Sequence, residues 1–140
     1  HAMNNRTAQS EYFNTSDELL LKKYEKSAFT QIDLEFIAQN LLCGDSVKIL
    51  FELKDGSVIN AGFEADGCLL CRLSSCALCE FAKGKTILQL QDTGREIFSH
   101  LFDELPLRIK SLRKHYSQWK KYKGRQRCLY LPWQAVCETR

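Results

Sequence analysis

The chain has 140 residues, 44% of them hydrophobic and 26% charged, which is the make-up of one soluble globular domain able to bury a core without disulfide staples. No apolar run approaches the roughly 18 residues of a spanning helix, and no charged-then-apolar leader opens the chain, so a cytoplasmic protein with no membrane partner is expected. The net charge of +3 is too modest to argue by itself for a nucleic-acid partner.

Residues 1–16 are polar and lack an apolar period; they read as a disordered tail, with His1-Ala2-Met3 a cloning remnant, ahead of a single domain over 17–140. Thr15 or Ser16 can cap a first helix, with Asp17 and Glu18 beside the positive end of its dipole. Leu20, Leu21 and Tyr24 give that helix a face, and its expected end is near Ala28. From Ile32 the period changes to two: Ile32, Leu34, Phe36 and Ala38 alternate with polar or smaller residues, a strand signal. "SVKILFEL" and "SVINAGFEA" follow, joined through Asp55-Gly56, a strong hairpin signal. The result is a three-stranded antiparallel meander, one face of which needs a cover.

The rest of the chain reads as that cover. A helix is predicted from Cys68 to Ala82, stopped by Gly84. "DTGREIFSHLFDE" predicts a second, with Ile97, Leu101 and Phe98 or Phe102 on one side. A third is predicted over 106–123, with Pro106 in its first turn, Ile109, Leu112, Tyr116 and Trp119 as its seam, and Gly124 after its end. A short closing helix holds Pro132, tolerable only in a first turn. The fold class is α+β: a small antiparallel sheet with helices packed on one face.

Seven cysteines in a chain expected in reducing cytosol point to metal or sulfur chemistry more than to disulfides. Cys68, Cys71, Cys76 and Cys79 suggest a zinc site, but paired knuckles need roughly 15–20 residues between their pairs. On a helix these thiols would spread over about 15 Å of axis, beyond the reach of one ion. Cys71, Cys76 and Cys79 therefore read as small apolar residues of a buried face. Cys68 differs, because it follows Gly67 at a strand–helix junction, where helical N–H groups favour a thiolate. "NLLCGDSVKILF" places Cys43 and Asp45 around Gly44, either as an ordinary turn or as half of a site. In a meander the end of the third strand lies beside the start of the second, which brings Cys68 toward Cys43 and Asp45. Cys128, flanked by Arg125 and Arg127, is the candidate third thiol.

The stretch from Cys43 to Lys85 strongly resembles NifU/IscU-type iron–sulfur assembly scaffolds. It shares Cys-Gly-Asp before a strand, the hairpin, Gly-Cys opening a helix with Ser74-Ser75, and Lys-Gly-Lys after it. The resemblance covers roughly residues 32–136. It implies a metal or cofactor set of Cys43, Asp45 and Cys68 with a third cysteine, holding Zn²⁺ or a transient 2Fe–2S cluster. Two alignments compete for that cysteine. Without gaps, Ser111 takes its position and Lys110 that of a histidine, which makes the site degenerate. With an inserted segment, as in the SufU branch, Cys128 is the ligand and Arg127 replaces the histidine. The joint match of Arg125, Cys128, Leu131, Trp133 and Ala135 favours Cys128.

The resemblance further implies a scaffold rather than an enzyme. Cys43 accepts sulfur from a SufS/IscS-like cysteine desulfurase, and cluster-carrier proteins are further partners. Two rival readings are a degenerate paralogue serving as a protein-interaction module and a basic nucleic-acid-binding module. The second rests on nine Lys or Arg between Pro106 and Cys128, with Tyr116, Trp119 and Tyr122 among them. Those aromatics share the seam of Ile109 and Leu112, which directs them to the core. His100 and His115 read as helical residues without a ligand role.

Overall fold

A computed structural model describes residues 15–25, 29 and 31–138. Three strands, β1 (Leu34–Asn40), β2 (Asp45–Lys54) and β3 (Ser57–Asp66), form an antiparallel meander in the order β1-β2-β3. Asp55 and Gly56 have φ of 53° and 81°, the paired positive values that make a two-residue hairpin follow the twist of its strands. Alternation sorts the side chains: Phe36, Ala38, Val47, Ile49, Phe51 and Phe63 are buried, while Ile37 and Glu64 face outward. The register sets Asn40 opposite Asp45 and Ser46 opposite Asp66, so one end of the sheet gathers the β1–β2 turn and the exit of β3.

Helices α1 (Thr15–Tyr24), α2 (Leu69–Ala82), α3 (Ile87–Phe102), α4 (Lys110–Trp119) and α5 (Gln126–Cys137) complete the α+β fold. In α1, Leu21 and Tyr24 are buried as the apolar face requires. Glu25, just past its end, holds Arg72 of α2 in a two-pronged ion pair at 2.7 and 2.8 Å. The expected caps, the side chains of Thr15 and Ser16, and the expected end at Ala28 lie outside the described residues. Helix α2 lies on β2 and β3, and α5 lies against the sheet, α2 and α3 together.

Three helix boundaries differ from expectation. Helix α3 starts at Ile87, five residues early, because Thr86 and Gln89 form a reciprocal capping box that closes both orphan amides. Ile97 and Leu101 are buried, whereas Phe98 and Phe102 stay largely exposed and pack around Tyr130. Helix α4 covers only Lys110–Trp119 rather than 106–123: Pro106 lies in the segment before it, and a turn over 120–124 follows it. The preceding segment is pinned by buried Leu107 and by the Arg108 amide bonding Glu96 at 2.7 Å. Pro132 sits inside α5 rather than in its first turn. It has no N–H for the Cys128 carbonyl, and the loss is offset by the burial of nearly the whole helix, Trp133 included.

Helices α2, α4 and α5 are tied by one buried chain of hydrogen bonds. Trp133 Nε1 donates to Tyr116 Oη at 2.7 Å, Tyr116 and Ser74 share a bond of 2.6 Å, and Ser74 Oγ donates to the Leu129 carbonyl. Each donor in that sequence has a partner, so the burial of three polar groups carries no desolvation penalty left unanswered.

Candidate metal centre

The β1–β2 turn is shaped by Asn40. Its side-chain oxygen accepts from the Leu42 amide at 3.1 Å, and its carbonyl accepts from the Gly44 amide at 2.8 Å. Gly44 has φ of 78°, a left-handed conformation that a β-carbon would strain. The reversal leaves Cys43 exposed at the tip and buries Asp45, 8% exposed, as the first residue of β2. Leu41 and Leu42 stand beside Cys43, each 87% exposed.

The β3–α2 junction supplies the second wall. Gly67 backs directly onto Asp45: a β-carbon there would meet Asp45 Cγ at 2.8 Å and Oδ1 at 3.0 Å. Cys68 follows as the N-terminal flanking residue of α2, in extended conformation and making no capping bond with its side chain. The third wall is the first turn of α5, where Cys128 is 5% exposed.

The ligand atoms of Cys43, Asp45 and Cys128 all lie within 4.8 Å of one another. Cys68 stands beside this set, close enough for its thiol and that of Cys128 to influence each other's ionisation, but its sulfur is not among the atoms that lie within 4.8 Å of one another. Three of the four residues expected at the site, Cys43, Asp45 and Cys128, therefore meet at one end of the sheet, with Cys68 next to them at the β3–α2 junction. Ser111 does not. It is exposed on α4, bordering a small cavity with Glu80, Lys83 and Lys85 near the far end of α2. Arg125 and Arg127 are exposed next to Cys128.

The electrostatics follow from crowding acidic groups. The neighbouring Cys128 thiol favours a Cys68 thiolate and lowers that thiol from 9.0 to about 6, against the opposing effects of burial and of Asp45. In turn the neighbouring Cys68, together with burial and Asp45, pushes the Cys128 thiol up. One proton is thus held among electron-rich atoms. Asp45 Oδ2 is buried and finds no hydrogen-bond partner among the described residues. A carboxylate oxygen buried without a donor is costly unless a cation answers it. Three thiols and one such oxygen are the donor set that suits Zn²⁺ or iron.

The remaining cysteines behave otherwise. Cys71, Cys76 and Cys79 are fully buried, and desolvation raises all three thiols. Cys137 fits where Gly94 lacks a side chain and lies 3.5 Å from the Gln91 carbonyl. His100 bonds the Leu105 carbonyl through Nδ1, and His115 stacks on Trp119. Two roles were not read from sequence, the Asn40 turn and the anchoring of Leu129 beside Cys128 by the Ser74 hydroxyl. An asparagine three residues before a cysteine was the visible signal for the first.

A three-stranded meander backed by helices, with two thiols and a carboxylate meeting at one end, defines a small α+β protein with a side-chain cluster able to hold a metal ion. The chain belongs to the NifU-like N-terminal domain family, whose model matches residues 22–127. That match ends one residue short of Cys128, so the place of Cys128 in the cluster rests on the structure. Over 105 residues the chain is 27% identical to the iron–sulfur cluster assembly scaffold protein IscU of Thermotoga maritima, covering 72% of each chain. In fold it resembles a candidate SUF-system iron–sulfur cluster assembly scaffold (SufU) from Fervidobacterium islandicum, with TM-score 0.73, 20% identity and coverage of 90% and 94%. It also resembles the N-terminal part of a nitrogen-fixing NifU-like protein from Brucella abortus, with TM-score 0.72, 21% identity and coverage of 91% and 90%.

Proposed function

We propose that this protein serves iron–sulfur cluster assembly. It holds Zn²⁺ or a nascent 2Fe–2S cluster through Cys43, Asp45, Cys68 and Cys128, and Cys43 accepts sulfur from a cysteine desulfurase. The observation that carries the reading is the meeting of the Cys43 and Cys128 thiols with a buried carboxylate whose Oδ2 lacks a hydrogen-bond partner among the described residues, with Cys68 alongside. Family membership and the scaffold relatives support the same conclusion.

Each residue has a part. Cys68 and Cys128 are the enclosed thiols that fix the centre. Asp45 is the one hard ligand in a soft set and the easiest to exchange. Cys43 is the exposed thiol, on a glycine turn that can move. Its thiolate attacks the outer sulfur of a persulfide on the donor. A Cys43–sulfur bond forms, the donor's S–S bond breaks, and the electron pair leaves with the donor's inner sulfur as a thiolate. The terminal S–H stays on the transferred sulfur, so the exchange needs no external oxidant or reductant. The protein is a scaffold and acceptor rather than an enzyme with turnover of its own. The nucleic-acid alternative loses two of its three stacking rings, because Tyr116 and Trp119 are buried, and the third, Tyr122, is half-buried.

The test is metal content and persulfide formation. Cys43→Ser, Cys68→Ser and Cys128→Ser should each abolish tight binding of Zn²⁺, while Cys71→Ser, Cys76→Ser and Cys79→Ser keep full metal with some loss of stability. Wild type incubated with desulfurase and cysteine should gain a persulfide detectable by mass, and Cys43→Ala should not. Full metal in Cys128→Ser, or a persulfide on Cys43→Ala, would overturn the corresponding assignment.

A further inference from the structure

The nine Lys and Arg residues between Arg108 and Arg127 play no part in the thiol cluster. No acid accompanies them, and the rest of the chain carries eleven cations against seventeen acids, so the charge is strongly segregated. Eight of the nine are exposed and Lys120 is half-buried. Among the described residues none of them joins an ion pair; the pairs present use Lys22, Lys23, Lys48, Arg72 and Arg95.

Their course over the surface is set by the packing of α4. Leu112, Tyr116 and Trp119 turn that helix's apolar stripe into the core, which leaves Lys110, Arg113 and Lys114 outside at helical spacing, with Lys121 exposed in the turn that follows. The start of α4 lies near the end of α2, where Ser111 meets Glu80 and Lys83. Tyr116 bonds Ser74 at mid-helix, and Cys128 neighbours Cys68, the residue that precedes α2. The basic strip therefore runs back along α2, about 20 Å at the rise of a helix, and ends in Arg125 and Arg127 beside the thiols.

So many like charges without counter-charges destabilise the folded state and create a field that draws acidic surfaces. A single-stranded nucleic acid would want exposed rings to stack on, whereas Tyr116 and Trp119 are buried and Tyr122 is half-buried. A membrane would want the apolar stripe outward, and it points inward. What must come to this end of the molecule, if Cys43 accepts sulfur, is the protein that carries it. Resting on that reading of Cys43, we propose that the strip from Lys110 to Arg127 is the docking surface for the sulfur-donor protein. The surface recognises a matching acidic face beside the donor sulfur.

The test uses a reversed triple variant, Lys110→Glu with Arg113→Glu and Lys114→Glu, and its neutral counterpart with Gln at all three positions. These residues lie at the far end of the strip, so metal content should equal wild type and serves as the folding control. The measurement is the amount of scaffold that half-saturates the desulfurase, at about 50 and about 300 mM NaCl. Wild type should need roughly tenfold more at the higher salt. The reversed variant should need roughly tenfold more already at low salt, with its salt dependence lost, and the neutral one should fall between. Half-saturation of the reversed variant equal to wild type overturns the proposal. So does loss of binding to an oligo-dT strand with desulfurase docking intact, which would assign the strip to nucleic acid. Salt-dependent docking by a wild type that gains no sulfur on Cys43 would support the docking surface and remove the acceptor role instead.

Discussion

Cys68 is the residue where local chemistry can be read most directly. The neighbouring Cys128 thiol favours its thiolate and lowers it to about 6, while burial and Asp45 oppose the shift. The thiolate is the reactive form, so protein stripped of metal should show alkylation at Cys68 rising through about pH 6, not through the roughly 8.5 of a free thiol. Cys43→Ser provides the background for the measurement, with peptide mapping after iodoacetamide at each pH. Removing that neighbour with Cys128→Ala should move the midpoint upward. The sign for stability follows: a lowered thiol pKa contributes in full above the unfolded value and is lost as pH falls through about 6. A midpoint that stays put in Cys128→Ala would show that the neighbouring thiol is not the cause. Cys43, Asp45 and Cys68 were legible in sequence because each sits next to a glycine at the end of a recognisable strand. Cys128 was harder, since 60 residues separate it from Cys68 and only the packing of α5 across the sheet closes the distance.

The elements were legible where one periodicity dominates. The hairpin through Asp55-Gly56 and the amphipathic α2 follow from local pattern alone. Boundaries failed where a competing bond decided them. The capping box of Thr86 and Gln89 outranked the more conspicuous Asp92-Thr93, and the tether from Glu96 to Arg108 kept Pro106 out of α4. Pro132 in mid-helix was illegible because local propensity forbids it and only tertiary burial permits it. The hydrogen-bond chain through Ser74, Tyr116 and Trp133 was equally hidden, being formed by residues from three helices. Tyr116→Phe tests its weight. The change leaves Trp133 Nε1 buried without its acceptor, which should cost about 1–3 kcal/mol in urea unfolding. Ser74→Ala should cost a similar amount and also weaken metal binding, since the Leu129 carbonyl it holds is next to Cys128. A loss below about 0.5 kcal/mol for Tyr116→Phe would show that the chain adds nothing beyond packing.

At the scale of the whole molecule, the centre lies where the β1–β2 turn, the β3–α2 junction and the start of α5 meet, and no two of these are joined by a short stretch of chain. A ligand gripping all three binds the folded state and finds no comparable site in the unfolded one. Its binding energy is therefore folding energy. Free Zn²⁺ at a thousand times its dissociation constant should stabilise by about 4.1 kcal/mol. At about 2–4 °C per kcal/mol for a chain of this size, removing the metal should lower Tm by roughly 8–16 °C. The comparison is thermal unfolding of metal-loaded protein with and without a chelator, at fixed pH and protein concentration. Cys128→Ser should melt near the chelated value and ignore the chelator, because the α5 wall has lost its ligand. Cys76→Ser, altered in the core of α2, should melt lower but keep the full chelator-dependent shift. If chelation leaves wild-type Tm unchanged while metal is lost, the three segments are held together by packing alone. The ion would then be cargo resting on a preformed site.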